Sequence, residues 1–255
     1  MSLTDDLSDA FFDAAINLCG RLNIDPMDLL GVMMAESNVR AAAKNPSSNA
    51  SGLIQFLPST LAHLGWTGTP EDFRKLTAEQ QLPYVEAYFQ PYVHFGLNSA
   101  ARVYQVVFLP GSLPIGSDFS TVIAEKGGIN SAVYDRNRGL DVNFDGRITV
   151  GELQQAIERH YTAPRWQEIM DRLNAASGSE ESGDNGDSDP IDLRMPSGLA
   201  DALEALGFDR DHYSFPAAVR AFQMRSGLSA DGIVSPKTRA ALRSALDENE
   251  IGYIA

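Results

Sequence analysis

Positive charge is scarce in this chain: 20 Lys and Arg stand against 34 Asp and Glu, a formal net charge of −14. That balance argues against nucleic acid as a partner, and it removes simple charge attraction as a way of holding to an anionic surface. Cysteine is nearly absent. The single Cys19 excludes an internal disulfide, and its apolar surroundings place it in the core of a first helix. No hydrophobic run approaches a membrane span, and Met1-Ser2-Leu3-Thr4-Asp5-Asp6 is acidic where a secretory leader is basic and then apolar. The expectation is a monomer made in the cytoplasm without a signal peptide and without a membrane partner. What remains is ordinary: 44% apolar residues over 255 positions, enough for one large and one small domain.

A more local absence is chemically informative. Between Ser37 and Pro70 there is no Asp or Glu, and just before that gap stands Glu36. Asp25-Pro26 opens a helix, because the Asp side chain accepts from free N–H groups and Pro loses nothing at the first helical position. From there Leu29, Val32, Met33 and Glu36 share a face at spacings of three and four. A carboxylate ending an apolar stripe is poorly solvated, which predicts a raised pKa and a large protonated fraction near neutral pH, as a general acid needs. The plainer alternative is a Glu near a helix end that turns out to solvent.

Ser37 follows directly, and Gly52-Leu53-Ile54-Gln55-Phe56 comes after a loop rich in Asn, Pro and Ser. A Glu-Ser pair ending a helix, then Gly-Leu-Ile-Gln, resembles the soluble lytic transglycosylases and goose-type lysozymes, which cleave the glycan strands of peptidoglycan. The resemblance covers Ser8 to Met170. It implies a mainly α, lysozyme-like domain over residues 1–173, with Glu36 as catalytic acid and Ser37 and Gln55 lining the sugar groove. Glycosidases that use two carboxylates hold them close across the scissile bond, and no partner lies near Glu36 in sequence. Glu71, Asp72 or Glu86 folding back is one possibility; a single-acid mechanism assisted by the substrate's own N-acetyl group is the simpler one. Its product is an anhydro sugar or, if water is the acceptor, a reducing end. Relatives usually carry Ala-Tyr-Asn-x-Gly where this chain reads Val103-Tyr104-Gln105-Val106-Val107. The resemblance implies that Tyr104 touches substrate, while Gln105 stands where Asn is commoner.

Elsewhere in this region the patterns predict helices over Asp5 to Leu22, Ser59 to Leu64 and Asn98 to Leu109, and a capping box at Thr77-Ala78-Glu79-Gln80. Trp66 and the stripe Tyr84, Tyr88, Phe89, Tyr92 read as core aromatics, with one Tyr at the edge of a groove. The stretch Asp141-Val142-Asn143-Phe144-Asp145-Gly146-Arg147-Ile148-Thr149-Val150-Gly151-Glu152 matches an EF-hand loop. Oxygen ligands at positions 1, 3, 5, 9 and 12, a backbone carbonyl at 7 and Gly at 6 wrap a hard cation. The candidate calcium ligands are therefore Asp141, Asn143, Asp145, Arg147, Thr149 and Glu152, followed by a helix over Leu153 to Tyr161. A loop of Asx turns without metal is the alternative.

Residues 174–190 have no apolar periodicity and many acids, and read as a flexible linker. From Ile191 the pattern returns as three short helices carrying Ala-Val-Arg-Ala-Phe-Gln, Gly-Leu-x-x-Asp-Gly-x-Val and Lys-Thr-Arg-Ala-Ala-Leu. These resemble the bacterial peptidoglycan-binding module, so residues 191–255 are expected to form a small three-helix wall anchor. Bacterial peptidoglycan is then the expected partner, reached from the cytoplasm through a holin, a secretion system or a virion. The competing class is a catalytically silent wall-binding or virion structural protein that keeps the lysozyme fold.

Overall fold

The computed structural model describes residues 2–177, 191–193, 196–208, 215–228, 234 and 236–254. It divides into two units, Met1–Ser177 and Gly178–Ala255.

In the first unit α1 (Asp9–Leu22) is capped by Ser8, whose hydroxyl accepts from the Phe11 N–H, so the helix starts later than the apolar stripe suggested. α2 (Pro26–Ser37) begins as predicted, with the Asp25 carboxylate accepting from the Met27 N–H at 2.8 Å. It does not, however, have the one apolar face read from its spacing. Leu29, Leu30, Val32 and Met33 are all fully buried, because α2 packs against α1, α6 (Ala100–Phe108) and α8 (Val150–Glu158). A helix apolar all round is a central helix, and each such side chain contributes about 1.5–3 kcal/mol on leaving water.

The remaining elements of the unit close around it. α3 (Pro58–His63) takes Pro58, not Ser59, as its first turn; α4 (Pro70–Phe73) is short; α5 (Ala78–Phe89) opens on the expected Thr77–Gln80 capping box. Ser99 caps α6, which is shorter at both ends than the predicted helix. β1 (Val122–Glu125) pairs antiparallel with β2 (Arg147–Thr149), flanking α7 (Ser131–Arg136). α9 (Pro164–Ser177) extends four residues into the stretch read as linker; residues 178–190 lie outside the described residues.

The second unit holds α10 (Pro196–Ala205), α11 (Phe215–Arg225) and α12 (Pro236–Glu248) around Leu199, Leu203, Val219, Phe222, Leu242 and Leu246. Gln223 donates to the Thr238 hydroxyl at 3.1 Å inside it, joining the Gln and the Thr of the recognised segments. Two short parallel strands not foreseen from the sequence, β3 (Ile191–Asp192) and β4 (Tyr253–Ile254), tie its two ends together. Asp231-Gly232 of the middle segment, Ser235 and residues 209–214 fall outside the described residues. No helix among the described residues is long and apolar enough to cross a membrane.

Candidate active site

Glu36 is the penultimate residue of α2, so its side chain leaves the central helix where the core ends. Burial pushes its pKa from 4.5 up to about 7; a hydrogen bond from the Tyr104 hydroxyl opposes this and is the weaker effect. Burial, and then the Glu36 charge and this hydrogen bond, drive Tyr104 well above the ordinary phenol range. Tyr104 comes from α6, where Val103 and Val106 face the core and leave it half-buried toward α2. Tyr88 from α5 also feels the Glu36 charge; burial, Tyr92 and Glu36 raise it to about 12, and its hydroxyl donates to the Val106 carbonyl at 3.1 Å. Tyr88 is thus the member of the aromatic stripe beside the acid. Trp66 instead packs edge-on against Phe73 and Tyr84.

No carboxylate is among the groups that set the Glu36 environment. Two of the acids considered as partners are committed elsewhere. Asp72 closes the α4 capping box with Thr69 and pairs with Lys75 at 2.9 Å; Glu86 pairs with Arg21 at 2.7 Å. The third, Glu71, is exposed.

Ser37 follows the acid with its side chain turned into the protein, and Gln55 lies on the Gly52–Phe56 segment that Ser37 holds. The Ser37 hydroxyl is buried, bonded to the Leu53 carbonyl at 2.8 Å and the Met33 carbonyl at 3.0 Å, and it accepts from the Arg40 N–H. It therefore ties the Gly52–Phe56 segment to the end of α2. Gln55 sits at φ +53 and donates to the Gly52 and Ala43 carbonyls, which leaves its side-chain oxygen as an acceptor.

Two positioning residues gave no signal in the sequence. Gln81, fully buried in α5, accepts from the Leu53 N–H and donates to the Ala41 and Phe73 carbonyls. It passes so close to Gly52 that a Cβ there would meet its oxygen at 2.3 Å, and Gly52 also needs φ +81. Arg165 of α9 donates to the Asn38 and Val39 carbonyls at 2.7 and 3.2 Å while pairing with Asp6. Asn38 and Val39 are both left-handed, costly for a β-branched residue, and this clamp holds the turn that ends the Glu36 helix.

The EF-hand-like loop precedes α8, which packs on α2 and α6. Gly146 takes the left-handed conformation its position requires, at φ +84, and Phe144 does so at φ +61. The Asp141 carboxylate accepts from the Asp145 and Gly146 N–H groups and from the buried Tyr134 hydroxyl at 2.8 Å. Asn143 and Asp145 make Asx turns, the latter onto the Arg147 N–H. Thr149 and Glu152 form a reciprocal capping box that starts α8 earlier than predicted, and Glu152 also accepts from the Val142 N–H. In this arrangement the described residues contain no group of three or more His, Cys, Asp or Glu placed to hold a metal ion. The donor set still suits a hard cation by its chemistry, being all oxygen at alternate positions. From α8, Gln154 accepts the Ala101 N–H at 2.7 Å and so anchors the start of α6, the Tyr104 helix.

A mainly helical domain built around a central helix that ends in one half-buried carboxyl, followed by a small three-helix unit, is of the lysozyme-like class joined to a peptidoglycan-binding module. Residues 14–91 match the transglycosylase SLT domain family, and residues 199–242 match the peptidoglycan binding domain family; the chain carries both domains. The first match includes Glu36, Ser37, Gln55 and Gln81 and ends before Tyr104 and the 141–152 loop. Searches of curated proteins and of solved structures gave no match.

Proposed function

We propose that the chain cleaves the β-1,4 glycosidic bond of peptidoglycan with Glu36 as the one general acid and base. The observation that carries this reading is a carboxyl with a pKa of about 7, half-buried at a helix end, hydrogen-bonded by Tyr104 and without a carboxylate neighbour. Protonated Glu36 gives its proton to the glycosidic oxygen as the bond to the anomeric carbon breaks. The substrate's N-acetyl carbonyl oxygen closes onto that carbon and carries the positive charge. Glu36, now a carboxylate, takes the proton of the sugar's own 6-hydroxyl, whose oxygen displaces the acetamido oxygen. An acid half protonated near pH 7 suits both steps. Tyr104 keeps the carboxyl oriented, the Gln55 side-chain oxygen faces the sugar, and Ser37 holds the loop that carries Gln55. The small unit then holds the enzyme at the wall, raising its effective concentration on an insoluble polymer, an arrangement suited to bacterial lysis.

Mass spectrometry of muropeptides released from purified walls tests the reaction. The expected product ends in an anhydro sugar, lighter by one water than a reducing end. Reducing ends alone would transfer the second proton step to water, and release of no glycan fragments would remove the enzyme reading.

Calcium is proposed as a structural ion of the 141–152 loop, where Asp141, Asn143, Asp145, Glu152, the Arg147 carbonyl and Thr149 would hold it. Bound there, it supplies positive charge that fixes the loop, and through α8 and Gln154 the seat of α6. Thermal melting in calcium against chelator is expected to separate by several degrees for the wild type, and Asp141→Ala is expected to abolish that difference. Identical wild-type curves would leave a loop held by its Asx turns alone.

A further inference from the structure

The segment Val103-Tyr104-Gln105, in which Gln stands where Asn is commoner, is held on the side of α6 away from the acid. Helical positions two apart point about 200° apart, so Arg102 leaves α6 opposite Tyr104. Arg102 is 3% exposed, and no carboxylate lies within ion-pair distance of it among the described residues. Its guanidinium donates to neutral oxygens instead: the Gln105 side chain at 2.8 Å, and the carbonyls of Phe95 at 3.0 Å, Leu113 at 3.2 Å and Gly116 at 3.0 Å. Gln105 is fully buried beside it. The Gln105 amide donates to the Ser112 hydroxyl at 3.1 Å, which donates in turn to the Leu109 carbonyl at 2.7 Å.

A buried guanidinium without a counter-ion costs stability, so its role lies in what it fixes. α6 has nine residues, too few to hold a position by itself. Its start is set by the Ser99 cap and by Gln154 on the Ala101 N–H. Beyond that point Arg102 ties it to the segment before the helix, at Phe95, and to the segment after it, at Leu113 and Gly116. A hydrogen bond weakens steeply with small errors in distance and angle, so the seat of α6 decides whether the Tyr104 hydroxyl meets Glu36. We infer that Arg102, braced by Gln105, is a positioning residue for the proposed cleavage, acting through the seat of α6 on the Tyr104–Glu36 contact. The inference rests on that proposed reaction for its purpose. The other titratable groups acting on the pair are Tyr88 of α5, Tyr92 and Arg159 at the end of α8, and none of them bonds Arg102. The Arg102 charge itself is not among the influences on Glu36.

The test is NMR titration of the Glu36 δ-carbon in the full chain for the wild type, Tyr104→Phe, Arg102→Met and the double variant. The Tyr104 hydrogen bond lowers the Glu36 pKa, so losing it moves the midpoint upward. Tyr104→Phe and Arg102→Met are each expected to raise it by about half to one pH unit, the worth of one net hydrogen bond. The double variant is expected no higher than Tyr104→Phe alone, and the pH of fastest wall clearing rises with the midpoint. Arg102→Lys keeps the charge and loses the fork; it is expected to shift the midpoint part of the way, and it serves where Arg102→Met does not fold. An unchanged midpoint in a folded Arg102 variant would overturn the proposal. So would an equal rise in the Tyr104→Phe background, which a lost charge or a general loosening of the fold produces. The midpoint reads the contact and not the cleavage. Coupling without release of muropeptides by the wild type would sink the catalytic reading alone, and cleavage without coupling would sink only this one.

Discussion

Glu36→Gln is expected to lower the rate of peptidoglycan cleavage roughly a thousandfold while the protein stays folded, since a positioned acid contributes about 10²–10⁴. Gln is close to Glu in shape and can still accept from Tyr104, so the substitution removes the transferable proton and little else. The comparison is made as turbidity loss of purified walls at matched protein. The wild-type rate should fall on both sides of neutrality, because the first step needs the protonated form of a group with a pKa of about 7 and the second needs its carboxylate. Equal clearing by the two proteins would mean that the chemistry belongs elsewhere and that the central helix only builds the fold.

The second large effect has the opposite sign. Folding raises the Glu36 pKa from 4.5 to about 7, so between these values the native state binds more protons than the unfolded chain. Stability contributed by this group therefore falls as pH rises from about 4.5 to 7 and stays low above that, by up to about 3 kcal/mol. Glu36→Gln lacks this loss. The variant is expected to match the wild type near pH 4.5 and to exceed it at pH 8, with a melting temperature several degrees higher. Denaturant melts at the two pH values measure it. A difference that does not grow with pH would indicate a carboxyl as well solvated in the native state as in the unfolded one. An inactive yet more stable variant is what a strained functional group produces, since the active site holds a charge where the core would accept none.

How far these features were legible depends on the range of the interactions that create them. Glu36, its Asp25 start and the Thr77 capping box could be read because each is decided within a few residues. The burial of α2 on every side could not, because α6 and α8 arrive from distant sequence to cover the face that its spacing left polar or open. Ser37 shows the same limit: the resemblance implied a place at the groove, and its hydroxyl bonds Leu53, 16 residues on. Gln81 and Arg165 look like ordinary surface polar residues in their helices. Only the fold gives them the carbonyls of Ala41, Asn38 and Val39 to satisfy. The Asp141–Glu152 spacing was plain, but Thr149 and Glu152 also obey a local capping rule, and that moved the start of α8 forward.

Catalysis by Glu36 requires that its side chain keep a proton near neutral pH, and NMR titration of the Glu36 δ-carbon in the full chain measures this directly, with Glu36→Gln identifying the resonance. A midpoint near 7 is expected; a midpoint near 4.5, the value of a free carboxyl, would leave the reaction without its proton donor.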